Sequence, residues 1–178
     1  MLNSAPIRLV FAFFSSLLVL SAASAQIPSG DAAFGYSRTG SNIFYPNTPG
    51  LNGWDGAVFL KIHKPFLGVE GDVAHYGLGA DAAVPRTTTF LFGPQIALHA
   101  AGFKLFVHGL IGGEHSKNNV SNTPIDADAF AYALGGGADI PFFPHLALRL
   151  QLDHINAPSL STANADKIRF TTGLVFRF

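Results

Sequence analysis

The chain contains no cysteine. That excludes a disulfide framework and a lipid anchor carried on a cysteine. Charge is scarce too. Asp, Glu, Lys and Arg make up 12% of the residues, against ~25% in an ordinary soluble domain. Eleven basic residues balance eleven acidic ones, so neither nucleic acid nor an anionic surface is an expected partner. No apolar run reaches the roughly 20 residues of a membrane-spanning helix; the longest, Leu9 to Leu20, falls short. No helical period outlasts a single turn beyond residue 26. What abounds is glycine and phenylalanine, nineteen and seventeen residues, in a composition that is 48% hydrophobic. A small soluble domain must wet much of its surface, and this composition leaves little with which to do so.

The first residues read as a targeting segment. Arg8 precedes the apolar run, and Ser21-Ala-Ala-Ser-Ala25 supplies the small residues that a signal peptidase requires. The expected division is a signal peptide over 1–25 and one domain over 26–178, exported to a bacterial envelope compartment.

Within that domain, eight segments alternate apolar and polar residues with the period of two that marks a strand. The last is the clearest. Ile168, Phe170, Thr172, Leu174, Phe176 and Phe178 share one face, and Lys167, Arg169, Thr171, Gly173, Val175 and Arg177 the other. The other seven lie near Asp31–Thr39, Gly53–His63, Phe66–Tyr76, Thr87–His99, Phe103–Glu114, Phe130–Ile140 and His145–Asp153. Their connections alternate. Lys64-Pro65, Ala100–Gly102 and Phe142–Pro144 are tight; Gly40–Asn52, Gly77–Arg86, His115–Asp128 and Asn156–Asp166 are long and polar. Short turns on one side and long loops on the other, with both termini on the short side, predict an all-β, eight-stranded antiparallel up-and-down transmembrane β-barrel. Such a barrel satisfies every backbone polar group inside a bilayer.

The alternation sorts the side chains. Lys61, Glu70, Asp72, Lys104, Glu114, Asp139, Arg149, Asp153 and Arg169 face inward, where eight strands leave a lumen that side chains fill. Their mixed signs predict a plugged, ion-paired lumen, with Asp153 and Glu70 as partners of Arg169. A soluble lipocalin-like binder would have an apolar interior, which these charges oppose. Tyr36, Trp54, Tyr76, Phe90 and Tyr132 are expected to form an aromatic belt beside the long loops. Phe103, Phe142, Phe143, Phe176 and Phe178 would form the opposite girdle.

Phe90–Gln95, Phe106–Glu114, Phe130–Asp139 and Phe170–Phe178, in that order, resemble the OmpA-like β-barrel domain of small outer-membrane proteins. The resemblance spans essentially the whole domain. It implies residence in the bacterial outer membrane, outer-membrane lipid as surroundings, and insertion by the assembly machinery through the C-terminal strand. It fixes no activity: such proteins serve as envelope scaffolds, adhesins and surface proteins. No peptidoglycan-binding domain is expected beside the barrel, so cell-wall anchoring is not carried over.

Candidate chemistry is sparse. His63, His99, His108 and His145 are expected in the lumen, as hydrogen-bonding groups rather than metal ligands, since none has a second ligand at diagnostic spacing. Glu114-His115-Ser116 contains the parts of a hydrolytic triad. Consecutive strand residues face opposite ways, however, and residue 117 is Lys rather than Ser. Gly109, Gly112, Gly113 and Gly135–Gly137 lie within strands with no helix to follow, so they are not phosphate loops. No catalytic, cofactor-binding or metal-ligating residue is assigned. The expected role is structural or in surface interaction. The alternatives are a narrow porin and, more remotely, a lipid-modifying enzyme. No ligand of the long loops is named by their sequence.

Overall fold

The computed structural model describes residues 29–40, 50–63, 66–77, 86–100, 102–120, 123–158 and 166–178. The expected signal peptide over 1–25 and the Lys64-Pro65 turn lie outside them. Eight strands run in order: β1 (Gly30–Gly40), β2 (Gly50–His63), β3 (Leu67–Tyr76), β4 (Arg86–Ala100), β5 (Phe103–Val120), β6 (Thr123–Phe143), β7 (Leu146–Asn156) and β8 (Asp166–Arg177). Each pairs antiparallel with the next, and β1 pairs with β8 from Asp31↔Arg177 to Gly40↔Ile168, closing the barrel. Phe178 finishes the seam: its N–H donates to the Gly30 carbonyl at 3.0 Å, and its carbonyl accepts from the Gly30 N–H at 2.9 Å. No sheet edge is left open along the seam, as a bilayer demands.

The stagger follows from the registers. Partners traced one way from Tyr36, through Trp54 and His75, reach Thr88. Traced the other way, through Thr172, Leu150, Ala138 and Leu105, they reach Leu98 on the same strand, ten residues away. Strands in such a barrel tilt by about 35–45°.

Burial is inverted relative to a soluble protein. Phe34, Phe90, Phe92, Val107, Leu134 and Leu174 are exposed, Phe92 at 60%, while Glu70, Gln95, Asp139, Arg149, Asp153 and Arg169 are buried. Tyr36, Phe90 and Tyr132 face outward toward the loop end, as does Trp54, whose ring lies 6.0 Å from Phe34 and 6.2 Å from His75. Phe103, Phe142, Phe143, Phe176 and Phe178 are exposed at the turn end, as the girdle requires. Tyr76 departs from the expected belt. It shares parity with Glu70 and Asp72, is buried, and meets Ser37 Oγ at 3.2 Å.

Two expected connections also differ. The segment expected as a long loop over His115–Asp128 is a continuing ladder, paired from Glu114↔Ala129 to Val120↔Thr123. Above the lipid neither face of a hairpin needs an apolar stripe, so alternation vanishes although pairing persists. The Phe142–Pro144 turn is shorter than expected. β6 runs to Phe143 through a register shift between Pro141 and Phe143, an irregularity that suits a residue without an N–H. Gly102, at φ 87°, turns the β4–β5 connection in a conformation glycine alone adopts readily.

Candidate functional site

Alternation delivers one side chain in two to the interior, and the closed sheet stacks these into layers. At the turn end, Lys104 bonds Asp31 and lies 3.7 Å from Asp139. Arg149 grips Asp139 with Nε at 2.8 Å and Nη2 at 3.0 Å, a two-point guanidinium–carboxylate contact. Two inward aromatic rings cover these cations. Lys104 Nζ sits 4.4 Å from the Phe59 ring centroid, and the Arg149 guanidinium 4.4 Å from that of Phe106.

Arg169 occupies the middle of the lumen, with no solvent exposure. Its Nε donates to Asp153 at 2.6 Å, its Nη1 to Asp55 at 3.0 Å and Asp72 at 2.8 Å, and its Nη2 to Asp72 at 2.9 Å. Beside it His108 bridges Glu70, at 2.7 Å from Nδ1, and Asp153, at 2.8 Å from Nε2. Gln151 donates to Asp153 at 2.9 Å. Nearer the loop end Lys167 bonds Glu114. There an apolar layer that includes Leu91, Leu110, Ala131 and Ile155 is also buried.

The inward set expected from the sequence is thus brought together, except that Lys61 is only half-buried. One partner is different: Asp153 does bind Arg169, but Glu70 binds His108 instead, and Asp55 and Asp72 take its place. Among the luminal histidines expected, His108 alone is shown inside. His99 is exposed at the turn end, and His145, also exposed, sits in the β6–β7 turn with Nδ1 3.1 Å from the Arg177 carbonyl. Of the His63 side chain the structure describes nothing. Asp31, Phe59 and Phe106 are members of the network that parity alone does not single out.

The Glu114-His115-Ser116 segment is dispersed. Glu114 points inward to Lys167, His115 Nδ1 meets Asp128 at 2.5 Å, and Ser116 Oγ lies 3.3 Å from Thr87 Oγ1. Among the described residues no three His, Asp or Glu side chains are grouped to hold a metal ion.

No family profile matches the chain, and no curated protein is similar to it in sequence. Solved structures are similar in fold. Neisserial surface protein A shares 10% identity at a TM-score of 0.65, over 84% of this chain and 96% of that one. The N-terminal β-barrel domain of OprF from Pseudomonas aeruginosa shares 13% at 0.61, over 85% and 98%. Ail, the attachment invasion locus protein of Yersinia pestis, solved with the heparin analogue sucrose octasulfate, shares 16% at 0.56, over 84% and 99%. Closed topology, inverted burial and these likenesses define the class: a small eight-stranded transmembrane β-barrel of the outer-membrane type. That is the fold which the OmpA-like resemblance implies.

Proposed function

We propose that the protein resides in the bacterial outer membrane as a non-enzymatic barrel with a closed lumen, in a structural or surface-interaction role. One observation carries the closed lumen. Among the described residues all seven buried carboxylates, Asp31, Asp55, Glu70, Asp72, Glu114, Asp139 and Asp153, contact a cationic or imidazole partner. An ion crossing this lumen must displace bonded charges in a low-dielectric setting, where each unpaired charge is costly. Surface interaction is supported by the β5–β6 hairpin, which continues to Val120↔Thr123, past the last β6–β7 pair, Tyr132↔Asn156, and past Arg86↔Lys117, the last β4–β5 pair among the described residues. Insertion by the assembly machinery through the C-terminal strand belongs to the same proposal. So do outer-membrane lipid as the surroundings and an unidentified extracellular ligand. The test is a single-channel recording on protein reconstituted in planar bilayers. The closed lumen predicts no resolvable steady current; large steady conductance overturns it.

A narrow porin is the second reading. Gln95 favours it: both side-chain amide atoms are buried without a hydrogen-bond partner among the described residues. Small stable currents abolished by Gln95→Leu would establish it.

A further inference from the structure

Charge on the barrel's outer surface is segregated in a way that the lumen does not explain. Every acidic residue in the described parts of β1 to β5 (Asp31, Asp55, Glu70, Asp72 and Glu114) is turned into the lumen and buried. The outward positions of the same strands toward the loop end carry Arg38, His75, Arg86, His115 and Lys117. Outward acids occur only on β6, as Asp126 and Asp128, and on β8, as Asp166, among the described residues.

Arg86 and Lys117 are the core of this surface. They are direct cross-strand partners, and both are exposed. Like charges placed opposite one another destabilise a sheet. Lys117 has one weak offset, Asp126 at 3.6 Å, with both side chains more than half exposed; such a pair contributes little. Arg86 makes no ion pair among the described residues. Just below lie Thr88 and His75, bonded to each other at 2.8 Å, then Trp54 beside His75, then outward Phe90. The inward neighbours at the same height, Thr87 and Ser116, are neutral hydroxyls bonded to each other. The cations therefore do not address the lumen. They stand on the lipid side, one short step above the aromatic belt, where headgroups lie.

We propose that this outward face of β3–β5, centred on Arg86 and Lys117, binds the phosphate-bearing headgroup of a lipid in the surrounding leaflet. Arginine supplies a planar fork for phosphate oxygens and lysine a point charge. Trp54 and Phe90 lie below them against the acyl chains. The inference rests on the barrel spanning a membrane, which flotation with vesicles reads separately.

The test uses full-length protein refolded into phosphatidylcholine vesicles with a minor fraction of phosphatidic acid. Lipid retained after gentle detergent extraction is counted by native mass spectrometry. The expected result is retention of phosphatidic acid over phosphatidylcholine by at least about tenfold, from two basic residues at the surface. The variant Arg86→Gln with Lys117→Gln is expected to lose that preference, and Asp126→Asn to strengthen it. The variant Lys61→Gln with Arg177→Gln removes the same charge at the opposite end and is expected to leave it unchanged. Equal loss from both double variants would mean a general charge effect and overturn the site. Release of the retained lipid by inorganic phosphate alone would mean a soluble-anion site and overturn the lipid assignment. Protein that floats with vesicles yet retains no phosphatidic acid overturns the inference alone. Protein that does not float overturns the membrane reading as well.

Discussion

Replacing Arg169 by Met tests whether the barrel is held from within. The guanidinium is fully buried and serves three carboxylates, Asp55, Asp72 and Asp153, at 2.6–3.0 Å. Met is unbranched and of roughly similar length, so the change removes charge and hydrogen bonds more than volume. Breaking a buried ion pair by removing one partner costs about 3–5 kcal/mol, because the other charge is left buried and uncompensated. Asp55 and Asp72 would be left without a cationic partner while Asp153 keeps His108 and Gln151, which places Arg169→Met near the middle of that range. At about 1.4 kcal/mol per factor of ten, the folding equilibrium falls by about three powers of ten. Replacing a whole charged cluster with neutral groups is far less costly than orphaning part of it. Arg169→Met combined with Asp55→Asn, Asp72→Asn and Asp153→Asn should therefore recover most of the loss. The assay is urea unfolding in phosphatidylcholine vesicles, followed by fluorescence of Trp54, the single tryptophan of the chain. Heat-modifiable gel mobility gives an independent reading of the folded fraction. A loss below about 1 kcal/mol for the single variant would refute the reasoning, since exposed pairs already contribute that much. So would a quadruple variant no more stable than the single one.

Other expectations follow from the same geometry. Deleting Phe178 removes both backbone bonds to Gly30 and the last girdle ring, so the yield of membrane-inserted protein should fall several-fold; normal insertion would deny the terminal residue a special role. At Gly112 an added Cβ would stand 1.9 Å from the Phe90 carbonyl oxygen, whereas at outward Gly71 nothing lies within 4 Å. Gly112→Ala should therefore lower the heat-modifiable fraction sharply and Gly71→Ala leave it intact. Val107 is 59% exposed among the outward apolar residues of β5; Val107→Arg should cost about 2–4 kcal/mol in the same urea assay if it lies near mid-bilayer, and Lys117→Ala close to nothing.

Much of this architecture is legible in the sequence, because lipid on one side and packed polar groups on the other impose a strict period of two. That rule finds the eight strands and the facing of residues from Phe34 to Phe176. It fails where lipid ends. Lys117, Asn118 and Asp126 continue a ladder, yet their faces are both polar and so carry no alternation. Parity also fixes which face a residue takes without fixing its height. Glu70 and Asp72 are indistinguishable by parity, but the stagger puts Asp72 against Arg169 and Glu70 against His108. Height likewise separates buried His108 from exposed His99, and parity rather than proximity to a loop decides that Tyr76 turns inward.

The ten-residue stagger and the β1–β8 seam have a further consequence, for how such a chain can change over time. In an open sheet, an edge strand that gains or loses one residue can slide against its single neighbour. Here every strand is clasped on both sides, and a circuit of the barrel must return to the same register. One residue inserted inside β7 would exchange Leu148, Leu150 and Leu152 with Arg149, Gln151 and Asp153, presenting charge to acyl chains and leucine to the ion network. Length variation is thereby confined to the connections between strands, and the spans between them are expected to diverge by substitution alone.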